Sequence, residues 1–117
     1  MERITFLTHQ GKQILYHNFT KADPADWQSV INASKNIIKN QKEHSVLALT
    51  NVADAQVDET VQKEISSWLS FNKPFIKASA IIGVTGFRKL ILNTVTKLSG
   101  RKINKEKNLK KIEAIIL

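Results

Sequence analysis

The residues in this chain whose types support chemistry are few and widely spaced. His9, His17 and His44 fall on different stretches, with none of the short intervals at which zinc sites gather their ligands. They read as surface or internally hydrogen-bonded imidazoles. Cysteine is absent, which excludes disulfides, thiolate metal centres and cysteine redox chemistry. There is no Gly-x-Ser-x-Gly elbow and no long phosphate loop, and the glycines are too scattered for a Gly-x-Gly-x-x-Gly fingerprint. No catalytic residue, metal ligand or cofactor is assigned, and the chain is not expected to be an enzyme.

What remains is a set suited to holding an anion or a partner. Gly83-x-x-Gly86 is only a fragment of a phosphate-binding pattern, and a plain strand-to-helix turn is the better explanation of it. Arg88 and Lys89 follow it. If Thr85 or Gly86 caps a helix, both cations lie in its first turn, where they oppose the partial positive charge of the helix start. Free amides together with two cations favour an anion there. Asp54 and Asp58, in a loop that opens at Asn51, are the carboxylates expected nearest. Next to cations such groups can do acid–base work, but helix capping by Asp58 and a surface ion pair explain them more cheaply. Asn51, Asp54, Asp58, Thr85, Gly86, Arg88 and Lys89 are accordingly the candidate anion- or partner-binding residues.

Secondary structure must bring that set together. Arg3–Thr8 and Gln13–Phe19 are rich in Ile, Leu, Phe, Tyr and Thr, and the intervening His9-Gln10-Gly11-Lys12 supplies a turn glycine, so the pair predicts a β-hairpin. Asp23-Pro24-Ala25-Asp26 carries a cap, a first-turn proline and an acid for the positive helix end. Trp27, Val30, Ile31, Ser34, Ile37 and Ile38 then recur on one helical face. Ser45–Thr50 is an almost continuous apolar run, which predicts a strand buried on both faces in a central, parallel position. A second helix places Val61, Ile65, Trp68 and Leu69 inward and ends at Asn72-Lys73-Pro74, because a residue before proline is pushed out of the helical region.

Lys77–Val84 predicts another buried strand, followed by a third helix with Phe87, Leu90, Ile91, Val95 and Leu98 on one stripe and Gly100 as its stop. A short strand at Arg101–Ile103 and a last helix from Leu109 to about Leu117 complete the order. The expectation is one α/β domain over residues 1–117, with a mixed, mostly parallel sheet, an opening hairpin and about four helices. If the two buried strands are parallel neighbours, the Asn51–Asp58 loop and Thr85–Lys89 emerge at the same carboxyl edge, where open α/β sheets place ligands. Trp27 and Trp68 read as core residues, with base stacking the weaker alternative.

Charge is distributed unevenly. The chain carries +8, yet residues 1–71 hold seven Lys/Arg against eight Asp/Glu, whereas residues 72–117 hold eleven against Glu106 and Glu113. Such an excess fits an anionic partner, or simply a solvated lysine-rich face. The longest apolar stretch, Ala78 to Val84, is too short to cross a bilayer, and the first residues lack the apolar core of a signal peptide. A cytoplasmic location is expected.

The order of elements resembles the STAS fold of anti-sigma-factor antagonists, in particular the small stand-alone bacterial proteins called SpoIIAA-like. The local likeness lies in Asn72-Lys73-Pro74-Phe75-Ile76-Lys77-Ala78-Ser79-Ala80-Ile81-Ile82-Gly83-Val84-Thr85-Gly86-Phe87-Arg88-Lys89. The resemblance implies a non-enzymatic regulatory module acting through another protein. STAS antagonists carry a phosphorylatable serine in a turn after a central strand. Here that stretch is Ala55-Gln56-Val57-Asp58-Glu59-Thr60, with no serine and Thr60 as its hydroxyl, so the phosphoswitch is not carried over. The alternative function is binding of nucleic acid, an anionic membrane or a small phosphate-bearing ligand through the basic C-terminal half.

Overall fold

The computed structural model describes residues 3–83 and the strand residues 104–105. A hairpin opens it, formed by β1 (Ile4–His9) and β2 (Lys12–Asn18). His9 pairs with Lys12, so the connection is the two-residue turn Gln10-Gly11. Their φ values of 50° and 75° are both positive, as the primed turns that match strand twist require. Helix α1 (Pro24–Ile38) follows, with Asp23 and Asp26 forming a reciprocal capping box: the Asp26 amide donates to Asp23 Oδ1 at 2.8 Å and the Asp23 amide to Asp26 Oδ2 at 3.0 Å. Arg3 fastens the start of β1 to this corner. Its guanidinium donates to the carbonyls of Asn18 and Thr20 and reaches Asp26 at 3.4 Å.

Strand β3 (Val46–Asn51), helix α2 (Glu59–Asn72) and strand β4 (Ile76–Ile82) continue the alternation, and β5 (Asn104–Lys105) completes the sheet. The strand order is β1-β2-β3-β4-β5, with β1 antiparallel to β2 and every later pair parallel. The expected central strand is therefore central, and β3 and β4 are the parallel neighbours on which a shared carboxyl edge depends. A short strand lies at Asn104–Lys105, next to the one expected at Arg101–Ile103, which falls outside the described residues. Of about four expected helices, two lie among the described residues. The third helix and the last helix fall outside them.

Helix α2 ends where expected but for a different reason. Lys73, although followed by proline, stays helical at φ −46° and ψ −47°. The ladder stops at Pro74, which has no amide hydrogen to offer the turn before it.

Both helices pack on one face of the sheet. Phe19 is fully buried there, its ring 3.8 Å from that of Trp27 in a stacked pair and 5.8 Å from that of Trp68, edge to face. Val30, Ile31, Val61, Ile65, Leu69 and Ile81 enclose them. Trp27 and Trp68 are thus core residues, inaccessible to a nucleic-acid base. The opposite face carries Ile14, Leu47, Leu49 and Ala80, so the central strands are buried on both sides.

Among the buried polar residues of this layer, Ser34 makes the contacts that join the elements. The Ser34 hydroxyl, on the inner face of α1, accepts the Trp68 indole N–H at 3.1 Å and contacts His17 Nε2 at 2.9 Å. It ties α1, α2 and β2 to a single oxygen. Ser34→Ala removes almost no volume but leaves the Trp68 N–H buried without its acceptor. Stability should fall by roughly 1–3 kcal/mol, measured by denaturant unfolding. An unchanged midpoint would show that the three-way contact contributes nothing.

Candidate functional site

Three strand exits build the carboxyl edge. The chain leaving β2 runs beside the chain leaving β3, and the amides of Phe19, Lys21 and Gln56 donate to the carbonyls of Asn51, Ala53 and Ala22 at 2.7, 2.8 and 2.8 Å. β4 arrives next to them, with the Val52 amide on the Ile82 carbonyl at 3.0 Å. Lys21 and Asp54 take positive φ values of 55° and 56° in these exits, a backbone region that disfavours residues bearing a side chain.

Of the candidate residues, Asn51 and Asp58 have assigned structural work. Asn51 Oδ1 accepts the Ala53 amide at 3.1 Å, while its amide nitrogen donates to the Tyr16 hydroxyl at 3.2 Å. It braces the start of the loop against β2. Asp58 is the N-cap of α2, its Oδ1 accepting the Val61 amide at 2.7 Å. This is the cheaper of the two roles weighed for it. Asp54 is exposed at its positive-φ position in the same loop. Thr85, Gly86, Arg88 and Lys89 lie outside the described residues.

Gly83 plays a part that the Gly83-x-x-Gly86 pattern did not reveal. Its φ is +80°, and a Cβ there would lie 2.6 Å from the Ala53 amide nitrogen. The exit of β4 therefore lies directly against the loop after β3, and only a bare backbone permits that approach.

The described part of this edge is mainly acidic. Asp23 and Asp26 stand at the start of α1, Asp58 and Glu59 at the start of α2, and Asp54 between, facing Arg3 and Lys21 as the described cations. Acids at helix starts complement the dipole. An anion approaching here meets net negative charge from the described residues, five acids against two cations. Among the described residues no three His, Cys, Asp or Glu side chains converge on a metal-sized site. No helix among them is long and apolar enough to cross a membrane.

The opposite, amino edge escaped the sequence reading. A groove of about 570 Å³ opens there beyond the end of α1, lined by Phe6, Leu15, Val46, Lys12, Lys42 and Lys77 among others. Its lysines come from three separate strands and loops, so no run of charge in the sequence announces it.

Gly83→Ala should destabilise the protein by roughly 2–5 kcal/mol, the sum of a left-handed backbone penalty and an overpacked contact. Gly11→Ala has the same sign of φ, but a Cβ there meets nothing within 4 Å. It should cost only roughly 1–2 kcal/mol. Thermal or denaturant unfolding of the two variants side by side checks the difference, and equal losses would remove the close approach as a cause.

No protein-family model matches the chain, and no curated protein matches it. Among solved structures, the chain is similar to an uncharacterized protein of the DUF3478 family with a SpoIIAA-like fold from Shewanella loihica PV-4. That likeness covers 97% of this chain and 92% of the other at 11% sequence identity, with a TM-score of 0.76. At that identity the likeness speaks for architecture alone. The hairpin, the parallel strands and the two helices on one face are those of a SpoIIAA-like fold.

Proposed function

We propose that the chain is a non-enzymatic, protein-binding regulatory module of the STAS type, working without a phosphorylatable serine. The likeness of fold over nearly the whole chain carries this reading. The carboxyl edge supports it: Asn51 and Asp58, the polar side chains most suited to chemistry there, are engaged in holding the loop and starting α2. Thr60 lies exposed in the first turn of α2, behind Asp58 and Glu59. A phosphate added there would join two carboxylates and meet like charge.

A second reading is favoured by the charge of the C-terminal half, eleven Lys/Arg against two Glu over residues 72–117. It is binding to an anionic partner: nucleic acid, an anionic membrane or a small phosphate-bearing ligand.

One experiment separates them. The immobilised protein is exposed to cell lysate with and without nuclease and anionic vesicles. Protein species that remain captured after both treatments support the module. Capture that disappears with nuclease or vesicles supports the second reading, and binding to that polyanion should weaken steeply as salt rises from about 50 mM. Lack of retention on DNA, RNA and anionic vesicles at about 50 mM salt would return the charge to a solvated surface. Incubation with lysate and ATP should leave Thr60 unmodified, and stoichiometric phosphate there would overturn the absence of a switch.

A further inference from the structure

The sheet under α2 has a low spot where two small residues meet. Ala48 of β3 pairs with Ser79 of β4, and one row further along the same face Thr50 pairs with Ile81. Above them α2 contributes Ile65, Trp68, Leu69 and Asn72. Small side chains in the Ala48–Ser79 row leave a cavity of about 30 Å³ between helix and sheet. That is room for about two water molecules, at roughly 10–15 Å³ each. A larger ligand would have to lift α2 to enter.

Two polar atoms on residues that line this cavity are buried and unmatched. Trp27 is 1% and Asn72 2% exposed, and neither Trp27 Nε1 nor Asn72 Oδ1 has a hydrogen-bond partner among the described residues. Trp68, which also lines the cavity, differs, since its indole N–H is accepted by Ser34. Native proteins rarely leave a buried donor or acceptor unmatched, and internal water is a common remedy.

The two atoms belong to opposite ends of the cavity. Trp27 lies near the start of α1, at the carboxyl edge, and Asn72 is the last residue of α2, at the amino edge. Of the hydroxyl residues on the floor, Thr50 is in the row nearer the carboxyl edge and Ser79 in the row nearer the amino edge. Those rows are about 6.6 Å apart, an interval that two water molecules joined by bonds of about 2.8 Å can span. An indole N–H only donates and an amide oxygen only accepts, so whatever links them must accept at one end and donate at the other. Water does both, and a bare ion does not. No Asp, Glu, Lys or Arg is among the described residues lining the cavity, so an ion would lack a counter-charge from them.

We propose that this cavity is a built hydration site holding two linked water molecules. The first accepts from Trp27 Nε1 beside Thr50, and the second donates to Asn72 Oδ1 beside Ser79. The pair completes the hydrogen bonding of α1 and α2 over the sheet, so that both helices are seated on it partly through solvent.

Water-to-protein cross-relaxation, measured by NMR on the full chain, tests this. The Trp27 indole N–H and the Ala48 methyl should show cross-peaks to water, with the sign that marks molecules held longer than a nanosecond. Thr50→Val and Ser79→Ala remove the neighbouring hydroxyls, which can relay the same signal, yet leave the space, and both cross-peaks should persist. Ser79→Val fills the lower end and should abolish the Ala48 cross-peak while that of Trp27 remains. Xenon, which enters dry apolar cavities, should leave the methyl shifts of Ala48 and Ile65 unchanged. Xenon-induced shifts at those methyls, or the lack of a Trp27 cross-peak, would overturn the proposal. So would loss of the cross-peaks with the hydroxyls alone, or an Ala48 cross-peak that survives Ser79→Val in a folded protein. Should Ser79→Val not fold, the unmodified chain, the two hydroxyl deletions and xenon still decide.

Discussion

Parallel pairing of β2 with β3 and of β3 with β4 is the constraint from which most of the molecule follows. A parallel neighbour cannot be reached by a tight turn, so the chain must cross back each time through a helix. Both crossovers pass over the same face, which stacks α1 beside α2 and leaves each helix pointing the same way. Helix starts consequently gather at one edge of the sheet and helix ends at the other. The charges follow the dipoles: Asp23, Asp26, Asp58 and Glu59 at the starts, Lys39 and Lys73 at the C-caps. The polarity of the surface thus follows from the connectivity of the backbone.

The layer beneath the helices shows how the two crossovers are locked together. Aromatic stacking of Phe19 on Trp27 and the edge contact with Trp68 are non-specific in register, since rings tolerate sliding. A hydrogen bond to a single hydroxyl does not. Ser34, reached from both His17 and Trp68, holds α1 and α2 at one position over β2. A polar atom in an apolar core is costly unless satisfied, and its satisfaction by two distant segments makes alternative packings unfavourable.

Much of this architecture was readable from local signals. Asp23-Pro24-Ala25-Asp26 announced the start of α1 because capping chemistry is contained within a few residues. Gly11 marked the hairpin for the same reason, and the apolar run at Val46–Leu49 marked a strand buried on both faces. The reading failed where a residue answers to a distant one. Gly83 looked like a turn glycine, yet it is required by Ala53, which lies on another loop. Lys73 remained helical before Pro74 because local sterics bias a backbone without dictating it. Lys12, Lys42 and Lys77 are unremarkable singly, and only the sheet brings them to one groove. The candidate residues at the carboxyl edge were half legible. Their shared location follows from strand direction, but the structural duties of Asn51 and Asp58 depend on hydrogen bonds that no spacing rule encodes.

The hairpin has a further consequence for how the chain acquires this shape. Its closing pair, His9 with Lys12, is separated by two residues, so β1 and β2 can meet on the microsecond timescale of an isolated hairpin. The pairings of β2 with β3 and of β3 with β4 must first close loops that each contain an entire helix, against a larger entropic cost. During synthesis β2 therefore has one edge matched by β1 while its inner edge, from Ile14 to Asn18, stays exposed until β3 has emerged. Early in the life of the chain the hairpin offers two open flanks, and among the described residues only the inner one acquires a strand.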